Sequence, residues 1–291
     1  MSKASTTIHP DKRHNSPDIT QPVYQGILYG VGVGPGSPDL VTLRAVNVLK
    51  SVSHIIAPTV DEQSPGKAEI IIRSIIPGID VERFVFPVLN EDTSEHNGVT
   101  QETGRTNGDN AANGDILREN SRPYRDIDSI YGKLVDRIAL YTEKDESVAF
   151  ITLGDPDIYS TFSHVRHLYT ERYPHLPLET IPGICAFQEL AARTNTTLCI
   201  GSDALTLTSH LHAGNDHSDI LSRPDSTAVI YKGGDQVTNI AELANRSGKI
   251  DSAVVGIHLG QEGEKITPLK EIKSTRHIPY LSTIIMPCRE Y

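Results

Sequence analysis

Apolar and polar positions along the chain switch between two periods. Short continuous apolar runs read as buried strands, and apolar positions spaced three and four apart read as amphipathic helices. Ile27 to Val33 is such a run, ending in glycines, and predicts a buried strand followed by a tight loop. Pro38–Asp39 then opens a helical pattern through Leu40, Leu43, Val46 and Leu49 to Lys50. Ser53 to Ala57 predicts a second strand closed by Pro58, Lys67 to Ile76 a helix, and Val81 to Val85 a strand. Ile127 to Tyr141 is a long amphipathic helix with Ile127, Ile130, Leu134, Ile138 and Tyr141 on one face. Ser147 to Leu153 is a strand that runs straight into Gly154-Asp155-Pro156, and a helix is expected from Thr161 to Tyr173. Strand–helix alternation of this kind predicts a mostly parallel sheet with helices on both faces.

The second half is patterned differently. Strand candidates Ala204–Thr208, Ala228–Tyr231, Ser252–Gly256 and Ser282–Met286 mix with helices near Gln236–Asn245 and Leu269–Lys273. A boundary is expected between Ile184 and Asn195, dividing an N-terminal α/β domain, 25–184, from a C-terminal one, 185–291. A cleft between two such domains is a common ligand site. Two segments lack periodicity. Residues 1–24 are polar and carry Pro10, Pro17 and Pro22, and are expected to be a disordered tail. Residues 91–122 hold seven acids, three arginines and only five apolar residues, too few to offset the ordering of the backbone. A disordered surface insertion is expected there.

Lys and Arg number 27 against 37 Asp and Glu, a formal net charge of −10. An acidic chain without a basic tract is poorly suited to nucleic acid, whose phosphates demand clustered cations. Cys185, Cys199 and Cys288 are too scattered for a disulfide framework or a zinc site. No run approaches the ~20 apolar residues that span a bilayer. With its polar start, the chain is expected to be soluble and cytoplasmic, with reduced thiols and no membrane partner.

Three loops carry the candidate chemistry. In Gly30-Val31-Gly32-Val33-Gly34-Pro35-Gly36 the dinucleotide fingerprint G-x-G-x-x-G fails in both registers, at Pro35 and at Ser37, which argues against a nicotinamide dehydrogenase. The phosphate-binding lysine loop fails too, since Gly66-Lys67 is followed by Ala68. The glycines still allow close approach to the backbone at a strand's C-terminal end. Gly154-Asp155-Pro156-Asp157-Ile158-Tyr159-Ser160-Thr161-Phe162 lies at another such end, where open α/β sheets bind ligands. Its Asp155 reads equally as an acceptor for a ribose or amine and as a helix cap. Ile181-Pro182-Gly183-Ile184-Cys185-Ala186-Phe187 reads as a bare turn or as a corner that lets a helix start lie against a flat ligand. No base partner marks Cys185 as a nucleophile. His164, His167, His210, His212 and His217 lack metal-ligand spacing, so no metal is expected.

Taken in order, the three loops resemble the tetrapyrrole methylases, the S-adenosylmethionine (SAM) enzymes of the corrin and sirohaem pathways. Leu28 to Ala45 is similar to the family's opening signature, Gly154-Asp155-Pro156 to its mid-domain motif, and Ile181 to Ala186 to its Pro-Gly corner. Tyr231-Lys232-Gly233 is similar to its short second-domain segment. Asp155 to Phe162 and Phe187 to Arg193 look most like the branch that methylates carbon 20 of precorrin-2 or its cobalt counterpart. The resemblance covers Gly26 to Cys288 and leaves out the tail and the insertion.

The resemblance implies a two-domain α/β fold, an N-terminal mostly parallel sheet and a C-terminal mixed sheet, with SAM in the cleft between them. Carried over by position, it implies cofactor contacts from Pro35, Leu153, Gly154, Asp155, Ile158, Cys185, Ala186 and Lys232, and substrate contacts from Ser160 and Thr161. Cys185 departs from the family's commoner Ser or Thr, and Leu259-Gly260 is a further candidate. It also implies a homodimer and a multiply carboxylated macrocycle as substrate, for which Arg44, Lys67, Arg166 and Arg193 are candidate cations. No catalytic side chain is assigned. A methylase acting at another ring carbon and a non-catalytic SAM-binding protein remain as alternatives.

Overall fold

The computed structural model describes residues 26–86, 122–209, 218–272 and 278–288. The tail 1–24, the insertion 91–122 apart from Arg122, and His210, His212 and His217 lie outside the described residues.

The chain builds two sheets in succession. The first contains β1 (Leu28–Gly32), β2 (His54–Thr59), β3 (Glu82–Val85), β4 (Val148–Thr152) and β5 (Leu178–Ile181), all parallel, in the order β3-β2-β4-β1-β5. Helices α1 (Leu43–Ser51) and α2 (Lys67–Ile75) cover one face. On the other lie α3 (Arg122–Thr142) and α4 (Phe162–Arg172). Successive side chains of a strand point to opposite faces. Ala149 and Ile151 of β4 therefore pack under α1 and α2, while Val148 and Phe150 pack under α3 and α4. Burial on both faces is why the central strands read as unbroken apolar runs.

Two local expectations are corrected, and one strand escaped the pattern. The helix expected from Pro38 is a separate 3-10 turn, Pro38–Leu40, after which Thr42 caps α1 by accepting a hydrogen bond from the Ala45 N–H at 3.1 Å. That start turns Ala45 and Leu49 inward and leaves Leu43 83% exposed, because Leu43 lies about 200° of helical rotation from Ala45. Pro58 lies inside β2 instead of closing it. Pro58 stays in register with Phe84 of β3, but pairing of β2 with β4 stops at Ile56, so the ladder on that side does not ask for the N–H that proline lacks. Finally, β5 is an edge strand with exposed Glu179, too mixed in polarity to read as an apolar run.

The second sheet has the order β6-β7-β10-β8-β9, from β6 (Ala204–Ser209), β7 (Ser226–Tyr231), β8 (Val254–Ile257), β9 (Lys265–Pro268) and β10 (Ser282–Met286). Only β6 and β7 are parallel, so this sheet is mixed. Helix α5 (Ala186–Arg193) follows the first sheet yet buries Phe187, Leu190 and Ala191 against Val229 and Ile285 of the second. The short α6 (Ser218–Leu221) and α7 (Val237–Arg246) pack on the opposite face through Leu221, Val237, Ile240 and Leu243. The helix expected at Leu269–Lys273 is a single 3-10 turn, Leu269–Glu271, and the edge strand β9 before it carries no apolar run.

Candidate functional site

Strands β4, β1 and β5 are neighbours and parallel, so the loops that leave them emerge side by side at one edge. The first two loops join at Gly34 and Gly154, where the Gly154 N–H donates to the Gly34 carbonyl at 2.7 Å. A Cβ on Gly183 would lie 2.1 Å from the Gly154 carbonyl oxygen, and one on Gly32 would lie 2.6 Å from it. Only glycine allows the three backbones to come this close. The Asp155 carboxylate locks the arrangement: Oδ2 accepts from the Gly183 N–H at 3.0 Å and Oδ1 from the Asp157 N–H at 2.8 Å. Asp155 does not cap α4. The N-cap of α4 is Thr161, whose side chain makes no capping hydrogen bond; the Ser160 hydroxyl before it accepts from the Phe162 N–H at 3.1 Å and pairs with the Thr152 hydroxyl at 2.9 Å.

The second sheet closes against these loops. Gly36 packs on the backbone of Leu259 and Gly260, and the Gln261 amide donates to the Pro35 carbonyl at 3.1 Å. Glu264 holds this second-sheet loop by accepting from the Gly260 N–H at 2.6 Å and from Arg193 of α5 at 2.7 Å. A further tie runs from the Tyr159 hydroxyl, which donates to the Leu207 carbonyl at 3.0 Å.

Between the two sheets lies a cavity of about 320 Å³, within the range of small-molecule sites. Pro35, Leu153, Gly154, Asp155 and Ile158 line it from the first sheet, with Ser160 and Thr161. Cys185 and Ala186 line it from the start of α5, and Lys232 from the end of β7. The structure thus brings together the eight expected cofactor residues and the two expected substrate residues. A wider hollow of about 620 Å³ opens beside it, walled by Tyr131, Asp157 and His164. Ile158 to Thr161 and Lys232 border both spaces. Tyr159, Lys232 and His258 hold positive φ angles of 48°, 57° and 48°, and all three line the cavity. Backbone strain of this kind is costly for bulky residues and gathers at working sites.

The electrostatics favour binding over nucleophilic attack. Burial, reinforced by the Asp155 charge, pushes the Cys185 thiol up to about 11, so it stays protonated at neutral pH. Burial also raises its hydrogen-bond partner, the Tyr231 hydroxyl, followed in size by the charge of Cys185. Among the described lining residues the charged side chains are Lys67, Asp155 and Lys232. The Lys232 ammonium lies 5.0 Å from the centre of the Tyr280 ring, a cation–π contact. Of the cations expected to meet an acidic substrate, Arg44 pairs with Glu179, Arg166 with Asp157, and Arg193 with Glu189 and Glu264. Only Lys67 of that set lines the cavity. Among the described residues no group of three or more His, Cys, Asp or Glu side chains is placed to share a metal ion, and no helix is long and apolar enough to cross a membrane.

The wall that sequence reasoning missed belongs to the second sheet. Gly256 lies in β8 with His258 and Gln261 after it, and Tyr280 and Leu281 lead into Ser282 and Thr283 at the start of β10. Besides Lys232 at the end of β7, Leu259-Gly260 was the local signal on that side. Nothing in the sequence around Ser282 marks a site, because its position comes only from strand pairing.

The chain is 29% identical over 259 residues to the probable cobalt-precorrin-2 C(20)-methyltransferase of Methanocaldococcus jannaschii, covering 89% of this chain and 95% of that protein. It is 26% identical over 266 residues to the cobalamin biosynthesis protein CobIJ of Mycobacterium tuberculosis, covering 90% of this chain but 46% of CobIJ, so it spans about half of that relative. The uroporphyrin-III C-methyltransferase of Thermus thermophilus, solved with S-adenosyl homocysteine, superimposes with a TM-score of 0.54 at 19% identity, covering 90% of this chain and 98% of that one. The family model of the Tetrapyrrole (Corrin/Porphyrin) Methylases matches residues 27–273, taking in the first sheet, all three loops and the second sheet up to β9, and the chain belongs to that family.

Proposed function

We propose that this protein is a SAM-dependent C-methyltransferase of cobalamin biosynthesis that adds a methyl group to carbon 20 of precorrin-2 or cobalt-factor II. The observation that carries the reading is the meeting of three glycine loops, distant in sequence, around one cavity closed by a second sheet. The C(20)-methyltransferase name of the Methanocaldococcus relative, and the similarity of Asp155 to Phe162 to that branch, support carbon 20 as the position.

The residues present fit the cofactor. A Cβ at Gly154 would meet no atom within 4 Å, so the missing side chain leaves space at the cavity wall for a ligand. When bound, SAM supplies a methyl group already activated by its sulfonium. The chain's task is then to hold and to dry the reactants, effects that supply several kcal/mol, roughly 7–11 for ideal orientation. Pro35, Leu153, Gly154, Asp155, Ile158, Cys185, Ala186 and Lys232 are the holding residues in this reading. Each Asp155 oxygen keeps a second lone pair for a ligand hydroxyl or amine beyond its backbone bond. Cys185, held as the neutral thiol, does not compete for the methyl group. Ser160 fixes the 158–161 turn through Thr152 and Phe162, leaving Thr161 to face the macrocycle in the wider hollow.

Incubation with methyl-labelled SAM and each tetrapyrrole in turn, followed by mass spectrometry and carbon NMR of the product, tests the proposal. One labelled methyl at carbon 20 is expected. A methyl at another carbon would make the protein a sister methylase, and S-adenosylhomocysteine binding without any transfer would make it a non-catalytic binder.

A further inference from the structure

Among the described residues, two buried polar atoms on the second-sheet wall have no hydrogen-bond partner: Gln261 Oε1 and Ser282 Oγ. Both residues line the 320 Å³ cavity. Ser282 is 3% exposed, and its backbone is committed, with its N–H donating to the Tyr280 carbonyl at 2.8 Å and its carbonyl accepting from Lys232 at 3.0 Å. Gln261 spends its amide N–H on Pro35 and leaves its carbonyl oxygen unused. A buried polar atom without a partner is costly, and native folds leave few of them. Two on one cavity wall point to a ligand that completes them.

The chemistry of the pair restricts that ligand. A side-chain carbonyl oxygen accepts only, so the ligand must bring an N–H or O–H to Gln261; the Ser282 hydroxyl can donate or accept. Both groups are neutral. An ammonium is poorly matched to a buried neutral acceptor, and the one carboxylate among the described lining residues, Asp155, lies on the first-sheet side. We propose that Gln261 Oε1 and Ser282 Oγ recognise the nucleoside part of the ligand through its neutral N–H or O–H groups. The inference rests on the SAM reading and adds two specificity residues to it. Through its bond to Pro35, Gln261 also ties ligand occupancy to the contact between the two sheets.

Calorimetry with S-adenosylhomocysteine and with 5′-methylthioadenosine, which lacks the amino-acid end, tests the pair. Ser282→Ala is expected to weaken both ligands about tenfold, the scale of one lost hydrogen bond. The melting temperature of the ligand-free protein should not fall, since the removed hydroxyl has no partner there. Ser282→Cys, which keeps most of the volume, should behave alike and guards against a folding defect. Gln261→Met should weaken both ligands and also lower the melting temperature, because its Pro35 bond goes. Unchanged affinity in Ser282→Ala, or a loss seen with S-adenosylhomocysteine alone, overturns the proposal. So does a lower ligand-free melting temperature in both Ser282 variants. If the unmutated protein bound neither nucleoside, the SAM reading would fall and this inference with it.

Discussion

The Asp155 carboxylate accepts from two main-chain N–H groups, one two residues ahead and one across the sheet edge at Gly183. From sequence this aspartate reads as a ligand acceptor or a helix cap. The structure gives it a further role as the clamp between two loops, and that role sets what its removal should do. Asp155→Ala is expected to lower stability by about 2 kcal/mol, the scale of two partly exposed charge-assisted hydrogen bonds, as well as S-adenosylhomocysteine affinity. Asp155→Asn, which retains one acceptor oxygen, should lose less of both. Urea unfolding beside calorimetry separates the two effects, and a stability unchanged by the alanine would contradict the clamp. The G-D-P motif itself was legible. Its partner was not, because Gly183 reaches Asp155 only after β5 docks beside β1.

At the scale of elements, Glu69 joins α2 to β3. Its side chain is fully buried and takes hydrogen bonds from Arg83 at 2.7 and 2.9 Å and from Arg73, one helical turn on, at 2.8 Å. The Arg83 hydrogen bond, with help from Arg73, holds this carboxyl below the usual range against the opposing effect of burial. A carboxyl whose folded value is depressed contributes stability that is complete above its unfolded value of about 4.3 and is lost as pH falls through the folded one. Glu69→Gln should therefore be less stable than the parent at pH 7, and the gap should shrink steadily below about pH 4. Denaturant melts at the two pH values measure it; a constant gap would mean that the charge is not involved. The helix carrying Glu69 was predicted to within one residue, since its apolar spacing is strong. Weak elements escaped for a common reason: β5 and β9 are four-residue edge strands, and an edge strand needs no continuous apolar run.

At the scale of the molecule, the contact between the two sheets depends on Gly36. A Cβ there would lie 2.2 Å from the Leu259 carbonyl oxygen, which is backbone and cannot swing aside. Gly36→Ala should push the second-sheet loop outward, break the Gln261–Pro35 bond and weaken S-adenosylhomocysteine at least tenfold, with faster amide exchange at 258–261. Gly78→Ala is the control: its φ of +79° brings strain of about 1 kcal/mol, but its Cβ would meet nothing within 4 Å and ligand affinity should hold. Equal affinity in both variants would mean that the cavity does not need this contact.

The sequence by itself determined the strand–helix alternation and which strands lie covered on both faces. It also placed glycine loops at the carboxyl ends of two strands and at the corner before α5. These are local signals, written in residue spacing and in what each side chain costs to leave in water. Tertiary structure decided which loops meet and what stands opposite them. Gln261 and Pro35 are 226 residues apart, and the Gly34–Gly154 bridge and the Asp155 clamp exist only because parallel pairing sets β4, β1 and β5 side by side. Strand pairing over such distances leaves no periodic trace in either partner, so apart from Lys232 and Leu259 the second wall of the cavity became visible only in three dimensions.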